Sequence, residues 1–227
     1  MSWRSLEPFD TDVVAPYKLG DGRRGALLIH GFGGSPPELR GLGEHLAARG
    51  WRAHGLVVPG HGLRPIDLHR TRWEDWAAGV QRAFDELAAE CESVVVAGQS
   101  MGGALALHLA ATEMRVRAVA ALATPLWLPG FLVHFLPVFK RVVKWHTPSS
   151  EVDLWDEAAV TELHSYGVRS MSSINELRRL VGAVRDELAQ VRAPVLVLHG
   201  ARDRLIAPAC AVEIAQRLVS SEEVDLH

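Results

Sequence analysis

The run Ser93-Val94-Val95-Val96-Ala97-Gly98-Gln99-Ser100-Met101-Gly102-Gly103-Ala104 changes character halfway along. Its first five residues are mostly apolar, with three valines in a row and no alternation, which reads as a strand over 93–97 buried on both faces. From Met101 to Thr112 the chain reads as a helix. Between them lies Gly98-Gln99-Ser100-Met101-Gly102, a G-x-S-x-G pattern at a strand-to-helix junction. Such a turn is tight enough to hold its serine in strained geometry at the top of a sheet. Glycines two before and two after the serine remove side chains that would clash there. Gly103 and Ala104 keep the helix close to the strand. An ordinary serine in a turn needs none of this company, so Ser100 is the expected nucleophile.

The same alternation extends outward in both directions. Strands are expected over 26–30, 52–58, 116–123, 194–199 and 223–227, separated by segments with helical periodicity. Ser35-Pro36-Pro37-Glu38 supplies an N-cap, a proline at the first helical position and a glutamate three residues after the cap. The helix it opens runs to about residue 48, with Gly50 placed to stop it. Thr71 and Glu74 form a second capping box ahead of Trp76, Val80, Phe84 and Leu87, and Ser173 and Glu176 start a helix that buries Leu177, Leu180, Val181 and Val184. Residues 126–172 break the pattern. They hold no convincing strand but many aromatics, and read as a helical cap inserted into one domain spanning 1–227. The fold class is α/β, a mostly parallel sheet flanked by helices.

A serine attacking a carbonyl needs donors where the oxyanion develops. The backbone N–H of Met101, at the start of the helix, is one. The loop after the first parallel strand, His30-Gly31-Phe32-Gly33-Gly34, offers the Phe32 N–H as the second, because its glycines let backbone approach substrate. His30, at a strand end, reads as a positioning group rather than a base. Asp203 follows the 194–199 strand in His199-Gly200-Ala201-Arg202-Asp203. A carboxylate at the C-terminal edge of a parallel strand shares the rim with Ser100. Its bland alternative is a turn-forming aspartate. Asp153 and Asp156 are weaker rivals because they fall in the cap.

Taken together, Gly25-Ala26-Leu27-Leu28-Ile29-His30-Gly31-Phe32-Gly33-Gly34, Pro59-Gly60-His61-Gly62, the Gly98–Gly102 motif and the stretch 199–203 resemble the α/β-hydrolase superfamily. The nearest resemblance is to small bacterial carboxylesterases and monoacylglycerol-lipase-like enzymes, over nearly the whole chain and most weakly in the cap. That resemblance implies the α/β-hydrolase fold, Ser100 as nucleophile, Asp203 as triad acid, and Phe32 with Met101 as oxyanion donors. It implies hydrolysis of short-to-medium acyl or monoacylglycerol-like carboxylic esters through an acyl-enzyme, without a cofactor. A thioesterase or a perhydrolase on the same site is the alternative within the fold.

One element of the pattern is out of place. The expected triad order is Ser, Asp, His, yet His227 is the only histidine after Asp203. Val224-Asp225-Leu226-His227 reads as the final strand itself, whereas the family carries its histidine in the loop beyond, so the C-terminal end reads as truncated. Loss of that histidine costs on the order of 10⁶ in kcat, which would leave this form inactive. Three expectations compete: a working esterase seen incomplete, an enzyme using His227, His30 or His61 as base, and a non-catalytic α/β-hydrolase-fold binding protein.

Composition narrows the remaining classes. The 227 residues carry 24 Lys+Arg against 27 Asp+Glu, a formal charge of −3 with no basic block, which argues against nucleic acid as a partner. Two isolated cysteines, Cys91 and Cys210, read as a reduced cytoplasmic chain without disulfide or metal spacing. No secretory leader is evident at the N-terminus. The longest apolar stretch, 126–139, contains Pro129 and Pro137 and is too short for a transmembrane segment. Neither a dinucleotide loop nor a Gly-Lys phosphate loop occurs, and His61 and His69 lack ligand spacing, so neither cofactor nor metal is expected. Trp127, Phe131, Phe135 and Phe139 recur every four residues as cap core or an acyl pocket. Lys140, Arg141 and Lys144 beside them fit a weak lipid-interface contact.

Overall fold

The computed structural model describes residues 10–128, 145–146, 166 and 168–227. The expected parallel strands are all present: β2 (Arg24–Ile29), β3 (Trp51–Gly55), β4 (Ser93–Gln99), β5 (Val116–Leu122), β8 (Val195–Leu198) and β9 (Val224–Leu226). They join β1 (Tyr17–Leu19) in a seven-stranded sheet ordered β1-β3-β2-β4-β5-β8-β9. Only β1 runs antiparallel, pairing Tyr17 with Gly55. β4 lies at the centre because Val94 and Val96 are buried on one face and Ala97 on the other.

Helices cover both faces. α1 (Arg40–Ala47) follows a 3₁₀ turn over Pro36–Leu39 and packs on the Ala26, Leu28 and Ala53 face. The single helix expected after Ser35 is therefore two pieces. The tandem prolines set the 3₁₀ turn, and Ser35 makes no side-chain cap bond. α3 (Trp73–Glu90) and α4 (Met101–Thr112) pack on the opposite face with Leu27 and Ile29. Trp76, Val80, Phe84 and Leu87 are almost wholly buried there, each stabilising by about 1.5–3 kcal/mol relative to exposure. α5 (Met171–Glu187) and α6 (Ala209–Arg217) complete the layer.

The cap of α3 sits one residue later than the Thr71/Glu74 reading. Asp75 accepts from the Arg72 N–H at 2.8 Å, while Thr71 is used elsewhere, accepting from Trp76 Nε1 at 2.8 Å. α5 likewise starts earlier, with Ser170 Oγ accepting from the Ser173 N–H at 2.9 Å. A short helix, α2 (Pro65–His69), stands in what reads as loop.

The expected strandless stretch 126–172 contains a small antiparallel ladder, β6 (Trp145–His146) with β7 (Arg169–Ser170). Trp127 packs against the main core. Phe131, Phe135, Phe139, Lys140, Arg141, Lys144, Asp153 and Asp156 lie outside the described residues. Among the described residues no helix is long and apolar enough to cross a membrane, and no three potential ligands cluster as for a metal.

Candidate active site

Ser100 occupies the turn between β4 and α4 with φ 53° and ψ −115°, a left-handed-side conformation that a residue with a Cβ adopts only under constraint. The constraint comes from both sides. Its N–H donates to the Leu122 carbonyl at 2.8 Å, and its carbonyl accepts from Gly103 at 3.0 Å and Ala104 at 3.2 Å to begin α4. No side chain fits around this turn. A methyl on Gly98 would run into the Gly102 carbonyl, and one on Gly102 would overlap the Ile29 carbonyl and stand 2.7 Å from that of His30. The motif glycines thus press the start of α4 onto the end of β2. The side chain of Ser100 is half-buried and has no hydrogen-bond partner among the described residues.

The same contact brings the 30–34 loop beside the serine. A Cβ on Gly31 would stand 3.8 Å from that of Ser100. Gly33, at φ 76°, turns the loop, and its carbonyl accepts from the Tyr166 N–H at 2.9 Å. The Phe32 N–H has no acceptor among the described residues, and Met101 is the first residue of α4, where an amide has no intrahelical partner. The structure therefore brings Ser100, Phe32 and Met101 together, with the Phe32 and Met101 amides free of partners beside Ser100.

Glu38 is the loop's anchor, a role its reading as a capping glutamate did not include. Its Oε2 accepts from the Gly31 N–H at 2.8 Å, and a side chain on Gly34 would collide with this carboxylate. Burial pushes its pKa up, partly opposed by hydrogen bonds from Gly31 and Ser35.

The histidines beside the loop are structural. His30 Nε2 accepts from the Val58 N–H at 3.1 Å, and its Nδ1 lies 2.9 Å from the Gly31 carbonyl. Both nitrogens are engaged in a neutral ring, and burial brings its pKa down to about 4. His61 Nδ1 lies 3.2 Å from the Pro59 carbonyl, its Nε2 is buried without a partner, and its pKa falls to about 3, chiefly by desolvation. The ring is boxed in by His30, Phe32 and Trp76, with centroids 5.2, 6.0 and 5.7 Å away. His30 thus has both nitrogens engaged, while the unpartnered Nε2 of His61 is enclosed among aromatic rings.

Asp203 serves a turn and keeps one oxygen for another partner. Oδ1 accepts from the Leu205 and Ile206 amides, both at 2.8 Å, as the turn-forming reading expects. Oδ2 stands 3.3 Å from His199 Nε2. That nitrogen is also 3.1 Å from the Ile206 carbonyl, so His199 braces the Asp203 turn, a pairing the sequence reading did not include. His227 extends the β9 register, donating its N–H to Val197 at 2.9 Å. Its exposed ring lies 3.0 Å from Asp225, not on Asp203.

The comparisons agree with this architecture. The family model described as serine aminopeptidase, S33, matches residues 22–227. A thermostable monoacylglycerol lipase of Bacillus sp. (strain H-257) is 26% identical over 215 residues, which cover 92% of this chain and 82% of that protein. A carboxylesterase of Bacillus subtilis (strain 168) is 26% identical over 192 residues, 84% of this chain and 76% of that one. Among solved structures, one from the metagenome-derived lipolytic enzymes LipS and LipT superposes with a TM-score of 0.84 at 24% identity, over 94% of this chain and 86% of that one. A Paleococcus ferrophilus monoacylglycerol lipase gives a TM-score of 0.78 at 19% identity, over 98% and 89%. With the family model spanning all but the N-terminal segment, this chain belongs to the serine aminopeptidase S33 family of α/β-hydrolases.

Proposed function

We propose that the chain is a serine hydrolase of carboxylic esters, working through an acyl-enzyme on Ser100. The observation that carries this reading is the constrained Ser100 turn flanked by the unpaired amides of Phe32 and Met101. In this reading Ser100 Oγ adds to the ester carbonyl carbon, and the two amides stabilise the oxyanion. Each such donor contributes about 10²–10³ in kcat. Collapse expels the alcohol, and water then releases the acid from Ser100. A base takes the Ser100 proton and passes it to the departing alcohol, and Asp203, whose Oδ2 stands 3.3 Å from His199 Nε2, is the proposed acid of the triad. Among the described residues no imidazole spans Asp203 and Ser100, so the proton acceptor is the part of the site to be tested first.

Short-to-medium acyl or monoacylglycerol-like esters are the proposed substrates. The support is that the two bacterial relatives are a monoacylglycerol lipase and a carboxylesterase. The family description names a peptidase instead, and amide cleavage would use the same nucleophile and oxyanion donors.

The test is intact mass after exposure to a fluorophosphonate, with and without added imidazole, beside Ser100→Ala. One adduct on the parent chain and none on the variant is the expected result. A rate that rises with added imidazole would assign the proton acceptor to a histidine not seated beside Ser100. A folded chain that takes up no adduct even with imidazole would overturn the reading.

A further inference from the structure

Arg169 is a charged residue beside the site for which the hydrolase reading has no use. It sits in β7, across from His146, with its guanidinium carbon 5.8 Å from the Phe32 ring centroid. Phe32 carries one of the two free amides, and the preceding residue's Cβ position is 3.8 Å from that of Ser100. The cation therefore stands over the ring of the residue that follows Gly31 in the loop beside Ser100.

Its surroundings do not satisfy it. Nε is buried with no hydrogen-bond partner, and no carboxylate among the described residues pairs with the guanidinium. Burial lowers its pKa with no neighbouring acid to raise it. Two other described arginines are each matched by two acids: Arg179 bridges Glu74 and Glu176, and Arg115 bridges Asp85 and Glu113. A half-buried cation without a counter-ion is costly, and an aromatic face returns only part of that cost. The planar fork of an arginine is shaped for an oxyanion with two acceptor oxygens.

We propose that Arg169 binds a carboxylate or phosphate group of the substrate, so that the preferred esters carry a negative charge near the scissile bond. This rests on the serine-hydrolase reading for its location, but the second arm of its test does not depend on turnover.

The first arm compares kcat/KM for 4-nitrophenyl hydrogen glutarate with that for 4-nitrophenyl hexanoate, and 4-acetoxybenzoate with phenyl acetate, at fixed low ionic strength. The first pair puts the anion on the acyl side and the second on the alcohol side. Each ratio is corrected for the pair's uncatalysed hydrolysis. At least one corrected ratio favours the anion, and Arg169→Met lowers it by about 10- to 100-fold, the range of a hydrogen-bonded charge. Arg169→Lys restores part of it. Ratios equal in parent and variant overturn the proposal and mean the cation is matched within the chain.

The second arm uses Ser100→Ala protein titrated with glutarate and, separately, with inorganic phosphate, read by calorimetry. Saturable binding by one of them, lost in Ser100→Ala/Arg169→Met of unchanged circular dichroism, supports the proposal and tells carboxylate from phosphate. Such binding with no hydrolysis of any ester would keep the anion site and overturn the hydrolase reading. Hydrolysis with unchanged ratios and no anion binding would do the reverse.

Discussion

Gly102→Ala destabilises the chain by about 4 kcal/mol or more, at the exceptional end of single substitutions. The added methyl would overlap the Ile29 carbonyl and come within 2.7 Å of the His30 carbonyl. Both are backbone atoms, so no side-chain rotation relieves the collision; either α4 or the end of β2 must move. At about 2–4 °C per kcal/mol for a chain of this size, the melting midpoint falls by about 8–16 °C. Gly41→Ala is the matched control. Gly41 lies in α1 with nothing within 4 Å of an added Cβ, so the same change there stabilises by about 0.5–1 kcal/mol. The two midpoints, measured by calorimetry, should move in opposite directions. A Gly102→Ala protein melting within about 2 °C of the parent would mean the α4–β2 contact is slack. Ser100 and the Phe32 amide would then not be held in register.

That contact explains why the constrained turn at Ser100 is legible in the sequence while several contacts around it are not. Gly98, Ser100 and Gly102 constrain one another through backbone only, so their identities record the geometry directly. The strands were legible for a related reason: Leu27, Leu28 and Ile29 are all at most 1% exposed, and a strand buried on both faces shows as an unbroken apolar run. β1 gave no such signal. It is three residues long at an antiparallel edge, and what seats it is Tyr17, whose ring fills the space beside Gly55 and Gly43.

Thr71 resembled a cap, but its hydroxyl had been claimed by Trp76 across the turn. Glu38 was legible as a capping residue, yet its bond to Gly31 depends on a 3₁₀ turn that a helix assignment does not contain. His199 and Asp203 are four apart, a spacing that means contact on a helix; here a turn at Gly200 makes the contact instead. Arg169 stands over the Phe32 ring from β7, and no local pattern encodes a meeting of residues so far apart in the chain.

The two buried histidines beside that loop make a strong pH dependence of stability. His30 is 1% exposed and His61 4% exposed, with folded pKa values of about 4 and about 3, both below the ordinary 6.5. Above pH 6.5 both rings are neutral in either state and cost nothing. Below it the unfolded chain takes up two protons that the folded chain refuses, so stability falls as pH falls towards those folded values. Each such proton contributes about 1.4 kcal/mol per pH unit, so the pair gives a slope of about 2.7 kcal/mol per pH unit near pH 5. Glu38 opposes this. Its pKa is raised by burial, so the folded chain holds a proton that the unfolded chain releases above its ordinary 4.5, which favours the folded state on the acid side. His54, also buried with its pKa lowered chiefly by desolvation, adds to the fall, so the net slope is at least about 1.4 kcal/mol per pH unit, measurable by urea unfolding between pH 5 and 6. His61→Phe keeps an aromatic ring among Phe32, Trp76 and His30 and removes one of the protons, so the slope should drop by about 1.4 kcal/mol per pH unit. An unchanged slope in that variant would mean His61 is protonated in the folded chain. A protonated imidazole would then stand 6.0 Å from the Phe32 ring, centroid to centroid.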